Sequence, residues 1–322
     1  MKILITCDLH VQEGIYTDIC LDYLNFLDDY CSKNDIKTIV IAGDVFEKSS
    51  KIKNESFLPL FFKFMELKEK GYNIIILLGN HDIYNVDNDS LVEAFCPFAK
   101  VIKTTEDISF NDRELTFLPY TKDIRDIPEK GDVLITHLSI ANFRFDNNYH
   151  VNEKIAFEEN LFENFNKVFT GHFHKPQERG NIIYPGSPYQ MNFGECGQEK
   201  GFVVFDTESD KWERILYKGA PTYKKIKVED FIDSDVSNQF IEVEINEKVD
   251  SYVKLKHLLY ERGALNVVPH FKQEEVDLII DENAEVNFND GLLVMMEEYI
   301  ANNIKIENID NEKLLELFRE IQ

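Results

Sequence analysis

The chain has 322 residues, with 35 Lys+Arg against 59 Asp+Glu and a formal net charge of −24. Hydrophobic residues at 43% and aromatics at 12% are enough for a packed interior and exclude an intrinsically disordered chain. The acidity argues against a protein that coats nucleic acid through a basic surface, because affinity for phosphates normally comes from Lys and Arg.

In chain order, residues 3–5 read as a strand, and Tyr16, Cys20, Leu24, Leu27 and Cys31 then recur at helical spacing. Residues 38–41 form a second strand pattern, 58–67 a second amphipathic helix and 74–78 a third strand. Residues 89–99 read as a short helix with Asp89 or Ser90 as its N-cap. Such alternation predicts a parallel or mixed sheet with helices on its faces. Past residue 105 the pattern is strand-rich, at 108–110, 114–119, 133–136, 168–170, 182–184, 201–205 and 212–216, with a helix expected at 158–166. Downstream come β-like 240–245, helix-like 251–261, β-like 275–279, an acidic bridge at 281–290 and two helical patterns at 292–301 and 311–321.

Residues 221–322 hold 11 basic and 23 acidic side chains, half of the net charge in less than a third of the length. A turn-like Gly219-Ala220-Pro221 marks the shift, so a domain boundary is expected there. The five cysteines, Cys7, Cys20, Cys31, Cys96 and Cys196, are odd in number and contain no CxxC, which fits a reducing compartment. The N-terminal segment is charged by residue 8 and no apolar run approaches a membrane span. A cytoplasmic protein is expected, in a bacterium or a phage-infected host.

Five segments share one feature: ILITCDLH, TIVIAGD, IIILLGNHD, DVLITH and KVFTGHFH each run from an apolar strand pattern straight into polar residues. The polar residues are Asp8 and His10, Asp44, Asn80-His81-Asp82, His137, and His172 with His174. Ligands of α/β sheets sit outside the carboxyl ends of strands. Imidazole and carboxylate donors without cysteine suit a divalent-metal site and argue against a closed thiolate zinc site. Glycines before three of these points, Gly43, Gly79 and Gly171, would let the chain turn sharply. Singly, Gly43-Asp44 reads as a turn and His137 as a hydrogen-bonded core histidine. The order of all five decides for metal, and they take five of the eight histidines.

In that order the blocks resemble the calcineurin-like metallophosphoesterase superfamily. The resemblance implies a two-sheet sandwich flanked by helices that carries two divalent metals, manganese first, with magnesium, iron or zinc as alternatives. It implies that Asp8, His10, Asp44 and His174 hold one metal and Asp44, Asn80, His137 and His172 the other. His81 would be the unligated catalytic histidine, protonating the leaving oxygen, and Asp82 its orienting partner. The stretch Ile183-Tyr184-Pro185-Gly186-Ser187-Pro188-Tyr189-Gln190, followed by Asn192-Phe193-Gly194-Glu195 and Lys200-Gly201-Phe202, resembles SbcD-type nuclease subunits, as do GDVFE at 43–47 and Ser90-Leu91-x-Glu93-Ala94. That resemblance implies hydrolysis of DNA phosphodiesters by a metal-activated water, exonucleolytic on duplex ends and endonucleolytic on single strands. It implies a homodimer acting with an SMC-like coiled-coil ATPase of the SbcC type. The division expected is a nuclease domain at 1–219, a small α/β DNA-capping domain at 220–280 and an acidic linker with a helical docking tail at 281–322. Glu47 stands where the pattern often has Asp and is not an expected ligand.

Weaker readings attach to Arg144, Lys175 and Arg179 as phosphate contacts and to Tyr189 as a stacking platform. The apolar stripe Leu314, Leu315, Leu317, Phe318 and Ile321 would suit a docking helix. The alternative function is a free-standing metallophosphatase acting on nucleotides or another small phosphoester. A non-catalytic scaffold is disfavoured by the complete ligand set.

Overall fold

The computed structural model describes residues 1–85, 89–145, 156–230, 234–245 and 249–271. Met1–Lys272 form one compact unit. The segments expected to be structured at 275–279, 292–301 and 311–321 lie outside the described residues.

A first sheet contains β1 (Lys2–Thr6), β2 (Thr38–Ala42), β3 (Asn73–Leu77), β4 (Ala99–Ile102), β11 (Gly201–Asp206) and β12 (Lys211–Leu216), in the order β12-β11-β1-β2-β3-β4. Strands β1 to β4 run parallel, and β11 and β12 are antiparallel additions. A second sheet contains β5 (Glu106–Phe110), β6 (Arg113–Leu118), β7 (Gly131–His137), β8 (Phe165–Gly171), β9 (Gln177–Arg179) and β10 (Ile182–Tyr184), ordered β5-β6-β7-β8-β10-β9.

Alternation along the strands explains the layering, since successive side chains face opposite ways. Ile3, Ile5, Val40, Ile75 and Leu77 pack against Leu115, Phe117, Val133, Ile135 and Phe169 between the sheets. Leu4, Ile39, Ile41, Ile74 and Ile76 face the other way, onto α1 (Ile15–Lys33) and α2 (Asn54–Glu69). The helices supply Cys20, Leu24, Leu27 and Cys31, and Leu60, Phe64 and Leu67. The expected sandwich is therefore present, with both long helices on one flank. The outer face of the second sheet is covered instead by loop residues such as Leu138, Ile140, Phe143 and Phe173.

Two expected helices are shorter than their patterns. Residues 89–99 give one 3-10 turn, Leu91–Phe95, with Ser90 and Glu93 completing a reciprocal capping box. Pro97 has no N–H to continue the ladder, and the chain turns directly into β4. Residues 158–166 give Glu159–Phe162, after which the Asn181 amide donates to the carbonyls of Phe162 and Phe165, both at 2.8 Å, and β8 begins.

A third sheet joins β13 (Thr222–Lys227), β14 (Gln239–Ile245) and β15 (Asn266–Phe271), all parallel, with α3 (Val249–Glu261) crossing between the last two. It has its own core, built from Ile226, Ile241, Val243, Leu255, Leu259 and Val267. Two of its strands carry no clear strand signal. The segment TYKKIK of β13 is lysine-rich, and β15 contains Pro269. Because β15 lies at the sheet edge, the missing donor of Pro269 is tolerated. Tyr223 and Phe240 stack on each other at 4.6 Å and join the aromatic cluster that includes Tyr16. The five cysteines are all free thiols. No described helix is long and apolar enough to cross a membrane.

Candidate metal centre

Strands β1, β2 and β3 are neighbours in the first sheet, as β7 and β8 are in the second. Their carboxyl ends converge on one rim. The Asp8 N–H donates to the Gly43 carbonyl and the His10 N–H to the Asp44 carbonyl, both at 3.0 Å. The two sheets are tied where the His172 N–H donates to the Asp8 carboxylate at 3.1 Å. The His81 N–H donates to Asp44 Oδ1 at 2.9 Å.

The rim is conformationally unusual. Asp8, His10, Asp44 and His172 have φ of 54°, 43°, 53° and 97°, in the region that non-glycine residues avoid at about 1–3 kcal/mol each. The expectation that glycines make the turns holds at Gly43, whose φ is 89°. Gly79 has another reason: a Cβ there would lie 2.1 Å from Asp44 Oδ1. It leaves room for a neighbouring strand's side chain.

Seven expected ligands come together. His137 Nε2 lies 3.1 Å from Asp44 Oδ2 and 3.2 Å from Asn80 Oδ1, and His172 Nδ1 lies 2.8 Å from the same Asn80 oxygen. On the other side of Asp44, His10 Nε2 lies 3.5 Å from Oδ2 and 3.0 Å from His174 Nε2. Ligand atoms of Asp8, His10 and His174, of Asp44, His137 and His172, and of His10, Asp44 and His81 lie within 4.8 Å of one another.

The donor set fits cations. His10 Nδ1 is bonded to Glu47 Oε2 at 2.7 Å and His174 Nδ1 to Glu195 Oε1 at 2.9 Å. A carboxylate partner keeps the proton on Nδ1 and aims the Nε2 lone pair away from it. Here the two Nε2 atoms are aimed at each other 3.0 Å apart, beside two buried aspartates. Facing lone pairs and buried carboxylates both require positive charge. The titration of the cluster shows the same demand. Burial opposes charge on His137, but Asp44 and Asp8 hold its pKa up at about 9. Burial would raise Asp44, yet His137, His10 and His81 hold it well below the usual carboxylate range. Burial and the neighbouring His137 bring His172 down to about 4, which keeps that ring neutral. A divalent cation meets the demand at the atoms where protons meet it in part.

Asp82 is a correction. Its carboxylate accepts from the backbone N–H groups of Val45, Phe46 and Gly79 at 2.9, 3.2 and 2.9 Å, bracing the β2 and β3 loops. It does not orient His81. That ring is held by its Nδ1 donating to the Glu47 carbonyl at 2.7 Å. Burial and nearby Asp44 push Asp82 up to about 7, against the backbone bonds from Gly79 and Phe46.

The calcineurin-like phosphoesterase pattern matches residues 1–196, which carry the whole rim and Glu195. The chain belongs to the calcineurin-like phosphoesterase family. Among curated relatives, it is 23% identical to "Exonuclease subunit 1" of Enterobacteria phage T4, over 98% of this chain and 97% of that one. It is 24% identical to an SbcCD nuclease subunit of Staphylococcus saprophyticus, over 99% of this chain and 92% of that one. A solved archaeal phosphodiesterase aligns with 67% of this chain and 100% of its own at 17% identity and a TM-score of 0.39.

Not every expected residue joins this phosphoesterase rim. Tyr189 is 3% exposed and its hydroxyl donates to the Leu9 carbonyl at 2.6 Å, so it is a core residue and not a stacking platform. Tyr189→Phe is expected to leave that carbonyl unpaired and cost about 1–2 kcal/mol, read as a lower melting temperature. Arg179 is paired with Glu159 at 2.9 Å on edge strand β9. Arg144 is exposed, its backbone bonded in both directions to the Gln177 amide, and Lys175 is half-buried next to His174.

Three residues behind the ligands carry no role in the sequence reading. Glu47 holds His10 by its side chain and His81 by its carbonyl. Glu195, 1% exposed, accepts from His174 and is paired with Lys200 at 2.8 Å. The charged partners bring Glu195 down to about 2 despite its burial. Lys200 also donates to the His174 carbonyl at 2.7 Å and to Ser187 Oγ at 2.9 Å.

Proposed function

We propose that this phosphoesterase is a metal-dependent DNA nuclease subunit that cleaves phosphodiesters at duplex ends and in single strands. In this reading it acts as a homodimer with an SMC-like ATPase of the SbcC type. The observation that carries it is the extent of similarity. The relatives named as an exonuclease subunit and a nuclease subunit align over 98% and 99% of the chain, well past the family domain at 1–196. The sheet of β13, β14 and β15 would then serve as the DNA cap, and residues 281–322 as linker and docking tail.

Asp8, His10, Asp44 and His174 would hold one cation, and Asp44, Asn80, His137 and His172 the other, with manganese the metal to test first. Two such ions supply Lewis-acid polarisation of the phosphate and ready deprotonation of water near neutral pH. Asp44 serves both sets because its carboxylate lies between His10 and His137. His81 has Nδ1 anchored to the Glu47 carbonyl, which leaves Nε2 to deliver a proton to the leaving oxygen. Such general-acid help is worth roughly 10²–10⁴-fold. The left-handed turns fix the ligands before substrate arrives.

The test is a Mn²⁺ assay on labelled duplex and hairpin DNA, with and without the ATPase. Failure on DNA alongside rapid hydrolysis of nucleotides would favour the free-standing phosphatase. His81→Asn should retain metal and lose about 10²–10⁴-fold in turnover, whereas Asp44→Ala should lose metal as well. Metal analysis of both proteins checks this, and an active His81→Asn enzyme would sink the assignment.

A further inference from the structure

Two cavities adjoin the rim and share a wall made by Asn80 and Ile83. The larger, about 1040 Å³, opens between the ends of β4 and β6 and is lined by Lys103, Thr105, Tyr120 and Lys122 among others. The smaller, about 270 Å³, is lined by His81 together with Glu47, Lys48, Ser50 and Tyr84. The first matches the upper end of what small-ligand sites enclose.

Their linings are alike. Each carries one lysine, Lys122 or Lys48, whose side chain has no hydrogen-bond or ion-pair partner among the described residues. Each carries one accessible tyrosine. Tyr84 is 54% exposed, and Tyr120 is half-buried with its ring 6.3 Å from that of His172. Lys103 is paired with Glu93 at 2.9 Å, so Lys122 is the lysine of the larger lobe without an ion pair among the described residues. Two lysines without ion-pair partners and two aromatic faces thus flank the shared wall at Asn80, where the acids of the linings are engaged elsewhere, Glu47 with His10 and Asp126 with the Thr121 hydroxyl.

We propose that the two lobes are the track of one single-stranded nucleic acid, with the scissile phosphate at Asn80 and His81. Its flanking phosphates lie against Lys48 on one side and Lys122 on the other, and flanking bases pack on Tyr84 and Tyr120. Stacking on aromatic rings combined with backbone charge contacts is how proteins hold single strands without sequence preference. A small phosphoester needs only the rim and leaves both lobes unused. The inference rests on the nuclease reading and names its substrate subsites.

The test uses the full chain with Mn²⁺, comparing the wild type with Lys48→Gln/Lys122→Gln and with Tyr84→Ala. Binding of labelled oligothymidylate is followed by anisotropy across salt concentrations. Cleavage of the oligonucleotide is compared with hydrolysis of bis(p-nitrophenyl) phosphate, a small diester that spans only the rim. The double variant should bind about tenfold more weakly, and its salt dependence should flatten by about 0.7 log units per lysine removed. Tyr84→Ala should lose about tenfold in oligonucleotide affinity. In both, the loss in kcat/KM should be about tenfold larger for the oligonucleotide than for the small diester. Wild-type affinity and salt slope in the double variant, with matching thermal melts, would overturn the track and leave the nuclease reading standing. A wild type that hydrolyses the small diester but neither binds nor cuts the oligonucleotide would overturn both.

Discussion

Gly79→Ala is expected to lower Mn²⁺-dependent hydrolysis by roughly 10²-fold or more, although it adds a single methyl group. The methyl carbon would sit 2.1 Å from Asp44 Oδ1 and 2.3 Å from the Asp44 backbone nitrogen. Neither is the loose end of a flexible side chain. Asp44 is 2% exposed, its Oδ1 already accepts from the His81 N–H, and its Oδ2 lies against His137 and His10. Relief of the clash must therefore move the carboxylate that lies between His10 and His137 and that both proposed ligand sets would share. Gly180→Ala is the control. It has φ of 59° but no heavy atom within 4 Å of the added Cβ, so the cost is about 1 kcal/mol of stability with turnover retained. Metal analysis and kcat on the two proteins separate steric displacement from loss of glycine as such. Full metal content and normal turnover in Gly79→Ala would show that Asp44 does not need its observed position.

The contrast between these glycines marks what the sequence can disclose. The candidate ligand positions are legible because each follows a strand's apolar run, and strand alternation with parallel pairing brings such ends to one rim. Where a side chain's role depends on which distant segment lies beside it, the linear pattern is silent. Asp82 stands next to His81 in the chain, yet the β3 loop turns its carboxylate back onto the N–H groups of Val45 and Phe46. Glu47 is written as a minor departure from a motif and becomes the anchor of two histidines. Tyr189 sits in a motif-like stretch near the rim, but its ring points inward to pack edge-on against Tyr23. Strand β15 is obscured by Pro269, because tolerance of proline depends on edge position, which only the assembled sheet defines.

Glu195 shows how far behind the ligands the site is built. The turn that carries it, Phe193–Glu195, packs on the third sheet: Phe193 meets Tyr223 edge-on at 4.9 Å, Cys196 Sγ donates to the Tyr223 carbonyl, and the Tyr223 N–H donates to Gln190 Oε1 at 2.8 Å. The side chain that aligns His174 is thus held from two directions, by Lys200 from within and by β13 from outside. This contact gives the third sheet a route to the ligand geometry without touching the rim.

Glu195→Ala is accordingly expected to have two separable effects. It strands Lys200, 4% exposed, without its carboxylate, and breaking a buried pair from one side costs about 3–5 kcal/mol. For a unit of this size that corresponds to a melting temperature lower by about 10 °C. It also frees the His174 ring from the bond that fixes its tautomer, for which metal affinity should fall about 10–100-fold. The double variant Glu195→Gln/Lys200→Met distinguishes the effects. It removes both buried charges while keeping an amide oxygen to accept from His174, so stability should return to within about 2 kcal/mol of wild type and Mn²⁺ affinity should largely recover. Thermal melts with calorimetric Mn²⁺ titration read both quantities on the same samples. If Glu195→Ala melts and binds Mn²⁺ like the wild type, the buried pair neither supports the fold nor aligns His174. If the double variant regains stability but not affinity, His174 needs the charged carboxylate of Glu195 rather than any acceptor at that position.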